Sequence, residues 1–234
     1  ELKRQIDVMK QMGLGGFHMH VRSGMATPYL SHEFMELIHT CVEKARDNQM
    51  LAWLYDEDRW PSGAAGGIVT RDKAYRSRYL LFTPVPYGQG STNAETDSSA
   101  RASRQENGVL LARYRVTLRD GLLAGYELLA PDAPDEPGLW YAYRETQGEN
   151  PWYNNQAYLD TLNPKAVQRF IEVTHEAYAR EVGGDFGGVV PAIFTDEPQF
   201  TRKSTLGFAE AQEDVTLPYT DDFPETYRAA YGED

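Results

Sequence analysis

The feature that most constrains the fold of this chain is a pattern that occurs three times: a helix, a turn, a short apolar strand and then a polar cluster. Strands are predicted over 16–22, 51–55 and 189–194, and the helix before the third begins near Asn163. Helices that alternate with short apolar strands are typical of a parallel sheet. The pattern alone fits both a closed (β/α)₈ barrel and an open doubly wound sheet. No GxGxxG segment follows any strand, which disfavours a dinucleotide-binding sheet.

A long segment between the second and third units interrupts the pattern. It contains four strand-like stretches, and Asp120-Gly121 between two of them is a strong hairpin signal. We therefore predict an α/β fold with about three βα units of a partial (β/α)₈ TIM barrel. The barrel units would occupy 1–78 and 151–234, and an inserted β-rich subdomain would occupy 79–150. The helix-forming stretches at both ends predict an excerpt of a larger multidomain chain.

Charge and composition narrow the class of partner. The chain has 234 residues, a net charge of -12 and a pI near 4.9. An acidic surface disfavours nucleic acid and anionic membranes, because phosphate groups need a basic face. No run of about 18 apolar residues is present, so no membrane-spanning helix is predicted. A single cysteine, Cys41, excludes a disulfide within the chain but leaves the compartment open, whether periplasmic, secreted or cytoplasmic.

Polar side chains follow each of the predicted strands. They are His18, His20 and Arg22 at the first, Asp56, Glu57, Asp58 and Trp60 at the second, and Asp196 and Glu197 at the third. In parallel α/β folds, ligands bind at the carboxyl ends of the strands. The sequence therefore predicts one binding site built from these three clusters.

Glu197 is the strongest candidate for a catalytic carboxylate. Cleavage of a glycosidic bond needs a carboxylic acid that protonates the leaving oxygen and a carboxylate on the opposite side. Pro198 disfavours helical angles at Glu197 and predicts that the strand continues in an extended conformation. The alternative is that Asp196 or Glu197 caps the next helix or binds an arginine.

The other two clusters each allow two interpretations. The acids over 56–58 beside Trp60 suit a sugar, because carboxylates accept hydroxyl hydrogen bonds and rings stack on C–H faces. The same acids are also consistent with a solvated loop or a calcium site. His18 and His20 share one strand face, as in many metal sites, and Asp56 or Glu197 would complete the ligand set. Alternatively, the two imidazoles hydrogen-bond a substrate or neighbouring carboxylates.

Several segments, in this order, resemble the rhamnosidase-like glycoside hydrolases of family 106. The matching segments are Met12-Gly13, Gly16-Phe17-His18-Met19-His20, Tyr29-Leu30-Ser31, Trp53-Leu54-Tyr55-Asp56-Glu57-Asp58, Trp60-Pro61-Ser62-Gly63, Tyr158-Leu159-Asp160, Leu162-Asn163-Pro164 and Ile193-Phe194-Thr195-Asp196-Glu197-Pro198. The resemblance implies a large bacterial enzyme with a (β/α)₈ catalytic domain. It implies hydrolysis of α-L-rhamnosides from plant polysaccharides, by inversion and with calcium assistance, but assigns no metal ligand here.

On this interpretation Glu197 is the general acid or base. The residues that would hold the sugar are His18, His20, Arg22, Asp56, Glu57, Trp60 and Asp196. A second essential carboxylate is missing from the pattern, so we expect the excerpt alone to be inactive. Two other functions stay open at this point: a carbohydrate-binding protein without turnover, and a metal-dependent lyase or isomerase that uses His18 and His20.

Overall fold

The computed structural model describes residues 1–21, 25–87 and 108–232, so the predicted ligand contact of Arg22 lies outside the described residues. The chain divides into two compact units. The parallel-sheet unit comprises Glu1–Tyr75 and Glu149–Gln199, and the antiparallel-sheet unit comprises Arg76–Gly148 and Phe200–Asp234.

The regular elements are numbered in chain order. The helices are α1 (Leu2–Gln11), α2 (His32–Asp47), α3 (Pro164–Val173), α4 (His175–Val182) and α5 (Phe223–Tyr231). The strands are β1 (Gly16–His18), β2 (Leu51–Tyr55), β3 (Arg78–Thr83), β4 (Val109–Arg119), β5 (Leu122–Leu128), β6 (Leu139–Thr146), β7 (Ile193–Phe194) and β8 (Val215–Tyr219). None of the helices in the described ranges has the length and apolar content needed to cross a membrane.

Helix α2 forms where its sequence predicts it. The Ser31 hydroxyl accepts a hydrogen bond of 3.2 Å from the Phe34 N–H, which caps the amino end. Buried side chains recur every three or four residues along the helix, and they are Phe34, Met35, Ile38, Cys41, Val42 and Ala45. This stripe packs with Ala52, Leu54 and Tyr55 of β2 in one hydrophobic core. Cys41 is therefore a core side chain.

The parallel sheet has the order β1-β2-β7, and both pairings are parallel. Residue Tyr55 at the end of β2 pairs with Phe194 at the end of β7. The chain that follows each strand therefore leaves the sheet at the same edge. This edge is the one at which the sequence predicts a binding site.

The predicted partial TIM barrel is wrong. The protein is mixed α/β, with this small parallel sheet and a curled five-stranded antiparallel sheet. The parallel strands have only three, five and two residues. Pro191 lacks the N–H that a strand interior needs, and the third strand begins only at Ile193 instead of at 189. The repeated pattern thus predicts local parallel pairing correctly, but it overstates the extent of the sheet.

The antiparallel sheet has the order β5-β4-β6-β3-β8. Strands β4 and β5 form the hairpin that Asp120-Gly121 predicts, and both turn residues have positive φ, 53° and 72°. Strand β8 pairs with β3, with Leu217 opposite Leu80. The sheet therefore includes β8, which lies well beyond the β-rich segment predicted over 79–150.

Candidate functional site

Two acidic pairs follow neighbouring parallel strands. Asp56 and Glu57 come directly after β2, and Asp196 and Glu197 follow β7 after Thr195. Since β2 and β7 are parallel and adjacent, both pairs lie at the same edge of the sheet. The surroundings of the two pairs are different, and that difference assigns their roles.

Glu57 is fully buried and holds the loop that follows it. Its carboxylate accepts five backbone N–H hydrogen bonds, on Oε1 from Asp58 (2.9 Å) and Gly66 (2.8 Å), and on Oε2 from Gly63 (2.9 Å), Ala64 (2.7 Å) and Ala65 (2.6 Å). Because five N–H groups of this loop bind one carboxylate, the loop has little conformational freedom. The Glu57 side chain therefore fixes the shape of the segment that carries Trp60.

The protonation state of Glu57 follows from these donors. Burial raises the pKa of Glu57 to about 8, which by itself favours a protonated carboxyl at neutral pH, whereas the backbone N–H groups of Gly63 and Gly66 lower the pKa and favour the carboxylate. A backbone N–H can only donate, so a proton on either oxygen would displace one of these bonds. The loop as folded thus requires the carboxylate, and we assign Glu57 as ionised.

Gly63 is a position in this loop that requires glycine. Its φ is 151°, and a Cβ there would lie 2.6 Å from ring atoms of Tyr158. The Tyr158 hydroxyl donates to the Ser62 carbonyl at 2.5 Å. Tyr158 is buried, and it therefore supports the loop from the protein interior.

Asp56 is also fully buried and connects three parts of the unit. Its Oδ1 accepts a hydrogen bond of 2.6 Å from the Ser62 hydroxyl, and its Oδ2 accepts one of 2.6 Å from the Thr195 hydroxyl. Nε2 of His175, at the start of α4, lies 3.4 Å from Oδ2. Asp56 thus positions the loop after β2 and the segment after β7.

Ser62 joins the two acidic segments directly. Its N–H donates to the Asp196 carbonyl at 2.8 Å, and the Asp196 N–H donates to Ser62 Oγ at 2.9 Å. We call this reciprocal pair of hydrogen bonds the Ser62 clasp. Because the same Oγ donates to Asp56, the clasp links the buried acidic pair to the backbone of the other pair.

Asp196 contacts an aromatic group at the end of β2. The Tyr55 hydroxyl donates to Asp196 Oδ2 at 3.3 Å. Burial, followed by the charge of Asp196, raises the pKa of Tyr55, so its hydroxyl stays protonated as a donor. The His20 ring stacks on the Tyr55 ring with centroids 4.1 Å apart and an interplanar angle of 22°. His20 and Asp196 are thus both placed by Tyr55.

Glu197 is exposed and contacts Trp60, whose indole Nε1 donates to Oε2 at 3.1 Å. Its φ is +43°, in the left-handed region. The extended conformation predicted from Pro198 is therefore wrong. A left-handed residue other than glycine is unfavourable by roughly 1–2 kcal/mol. Such strain is most frequent at functional positions.

His18 is a further exposed side chain at this edge. Its ring contacts the Phe194 ring edge-on, with centroids 5.6 Å apart, and lies 6.3 Å from the His20 ring. Partial burial, and then the charge of His20, lower the pKa of His18. We call His18, His20, Tyr55, Trp60, Asp196 and Glu197 the strand-end cluster.

The structure therefore brings together five of the eight predicted site residues. It places Asp56 and Glu57 behind the surface, where protein groups bind them, and Arg22 lies outside the described residues. The sequence reasoning missed Tyr55, Ser62 and His175. Tyr55 had a signal, since it immediately precedes the acids, whereas nothing near His175 in the sequence indicates its contact with Asp56.

The predicted metal sites have no complete ligand set in the described part of the chain, where no group of three or more His, Cys, Asp or Glu side chains is placed to hold an ion. The oxygens of Asp56 and Glu57 already accept hydrogen bonds from protein groups. This pair therefore does not fit the calcium that the family resemblance implies.

Comparisons of the chain with protein-family models, with curated proteins and with solved structures gave no match. The resemblance to family 106 therefore stays a prediction.

Proposed function

We propose that the strand-end cluster binds a carbohydrate and hydrolyses a glycosidic bond. The observation that carries the proposal is an exposed carboxylate, Glu197, hydrogen-bonded to the indole of Trp60 at 3.1 Å. Carboxylates accept hydrogen bonds from sugar hydroxyls, and aromatic rings stack on the C–H faces of sugars. A pair of this kind suits a neutral, hydroxylated ring.

The roles follow from exposure and contacts. Glu197 is the candidate general acid or base, because it is exposed and its backbone is strained. Asp196 is a second carboxylate close to it, positioned by Tyr55 and the Ser62 clasp. His18 and His20 are exposed and supply further hydrogen-bonding groups for sugar hydroxyls.

Asp56 and Glu57 act behind the cluster. Neither has exposed surface. Glu57 binds N–H groups of the loop that carries Trp60, and Asp56 binds Ser62 of that loop and Thr195 beside Asp196. We propose that they position these loops. The substrate we propose, an α-L-rhamnoside, comes from the family resemblance and not from any contact described above.

A specific observation favours carbohydrate binding without turnover as the second candidate. Asp196 accepts a hydrogen bond from the Tyr55 hydroxyl, and Glu197 accepts one from the Trp60 indole. Protein groups thus already bind both carboxylates, whereas hydrolysis needs a carboxyl group that is free to exchange a proton with the substrate.

The test uses the full-length protein and an aryl α-L-rhamnoside. We expect Glu197→Gln to lower kcat by about 10²–10⁴-fold, the range for loss of general acid–base catalysis. The control Glu33→Gln changes an exposed residue of α2 and should leave kcat within about twofold. Hydrolysis at the normal rate by Glu197→Gln would remove Glu197 from the mechanism. Binding of the sugar without hydrolysis by the unsubstituted protein would establish the second candidate.

A further inference from the structure

A polar cavity lies in the parallel-sheet unit. Its volume is about 370 Å³, and its lining includes Asp58, Arg59, Arg71, Asn154 and Gln156. None of its lining residues belongs to the strand-end cluster. It is therefore a candidate binding site that is separate from this cluster.

Among the lining residues, Asp58 and Gln156 each have a buried side-chain oxygen atom that accepts no hydrogen bond. The Gln156 amide donates from Nε2 to Asp58 Oδ2 at 3.3 Å, which leaves Gln156 Oε1 and Asp58 Oδ1 as the remaining acceptors. Neither oxygen has a hydrogen-bond partner among the described residues. Buried acceptors without donors are unfavourable and rare in folded proteins. Asp58 and Gln156 thus add unpaired polar groups to the wall of the cavity.

Both side chains are held in place by the protein. The Asp58 N–H donates to Glu57 Oε1 at 2.9 Å, which fixes the backbone at Asp58. A Cβ at position 67 would lie 3.0 Å from Cγ and 3.1 Å from Cδ of Gln156, so Gly67 leaves the space that this side chain fills. Fixed acceptors are a feature of pre-organised binding sites.

The charges in the lining favour an anion. Asp58 is the one acidic side chain in the lining, and Arg59 and Arg71 are the basic ones. In the part of the chain that the structure describes, neither guanidinium forms a hydrogen bond or an ion pair with another residue. The cavity thus has a net positive charge in a chain whose net charge is -12. An ammonium ligand would suit Asp58 but would be repelled by two guanidinium groups.

We propose that this cavity binds a hydroxylated anion. Its anionic group is bound by Arg59 and Arg71, because guanidinium groups match carboxylates and phosphates in geometry, and its hydroxyl groups lie against the polar lining near Asn154. A sugar acid and a sugar phosphate share this chemistry. The proposal does not rest on glycoside hydrolysis at the strand-end cluster.

Titration calorimetry tests the proposal with D-glucuronate, D-glucose 6-phosphate and neutral D-glucose as probes. We expect at least one anion to bind about tenfold or more tightly than glucose. Binding of glucuronate alone would identify a carboxylate site, and binding of the phosphate alone would identify a phosphate site. Binding of glucose as tight as that of both anions, or binding of none of the three, would overturn the proposal.

Two variants connect the binding to this cavity. Arg71 is exposed, so Arg71→Gln should fold normally, and we expect it to weaken anion binding about tenfold or more. Asp58→Asn removes the one negative charge of the lining and should strengthen anion binding, with circular dichroism as the check on folding. Arg4→Gln, an exposed change in α1, is the matched control. Unchanged anion binding by Arg71→Gln would refute the assignment. Glu197→Gln should leave this binding unchanged, which separates the result from any failure at the strand-end cluster.

Discussion

The two acidic pairs at the edge of the parallel sheet have similar sequences and opposite surroundings. Asp56 and Glu57 have no exposed surface, and their oxygens bind hydroxyl and backbone N–H groups. Glu197 is exposed, and Asp196 is partly so. Both pairs follow a strand of one small sheet, so position at a strand end does not by itself assign a role to a carboxylate. The number of protein donors around each carboxylate is what distinguishes the pairs.

The largest effect is expected from changing the buried pair. Glu57→Gln places an amide NH₂ against backbone N–H donors, and at least two of the five hydrogen bonds are lost. We expect the free energy of unfolding to fall by roughly 3 kcal/mol or more, since hydrogen bonds to charged groups contribute about 1.5–3 kcal/mol each. Urea unfolding measures the change. The matched control Glu197→Gln should stay within about 0.5 kcal/mol of the unsubstituted protein. Equal effects of the two changes would contradict the distinction between the pairs.

A smaller effect of opposite sign is expected at the exposed pair. Glycine adopts positive φ without the steric cost that Glu197 has at +43°. We therefore expect Glu197→Gly to raise the free energy of unfolding by about 1 kcal/mol, reduced by the lost hydrogen bond to Trp60. Thermal unfolding would show a higher Tm. The reference change Glu33→Gly, within helix α2, should lower stability by about 1 kcal/mol. A lower Tm for Glu197→Gly would show that its conformation is not strained.

The smallest effect concerns the charge of His18. Burial and the neighbouring His20 lower the pKa of His18, so the unfolded chain takes up the proton at a higher pH than the folded protein does. Protonation of His18 therefore does not affect the free energy of unfolding above about pH 6.5, the ordinary histidine value. Below that pH the free energy of unfolding decreases, because the unfolded chain binds the proton more readily than the folded protein does. NMR titration of the ring protons should show the low pKa. His20→Ala should raise the pKa of His18, whereas His32→Ala in α2 should not change it. An unchanged pKa of His18 in His20→Ala would show that the charge of His20 does not affect the His18 ring.

Local features of the fold were predictable from the sequence. The cap at Ser31, the buried stripe of α2 and the Asp120-Gly121 hairpin depend on residues close together in the chain. The positions of the polar clusters were predictable for the same reason, because each directly follows a short apolar strand. These signals reflect steric and hydrogen-bonding preferences of a few neighbouring residues.

The remaining features depend on contacts between distant segments. Nothing near Val215–Tyr219 indicates that it pairs with β3, and this pairing belongs to the antiparallel sheet that replaces the expected barrel. Three acids over 56–58 are typical of a solvated loop, yet Glu57 is buried because later residues of the loop return their N–H groups to it. The positive φ of Glu197 opposes the preference that Pro198 imposes, so tertiary contacts determine it.

The Ser62 clasp has a consequence for how chains of this kind can vary. The clasp joins positions that are 134 residues apart in the sequence through two short hydrogen bonds. The serine, together with the pairing of β2 and β7, sets the spacing of the two acidic segments, and the length of chain between them does not. Insertions, deletions or exchanged segments in that interval would leave the arrangement of carboxylates intact, provided that they spare Tyr158, His175 and β7 and that both ends still meet at the serine.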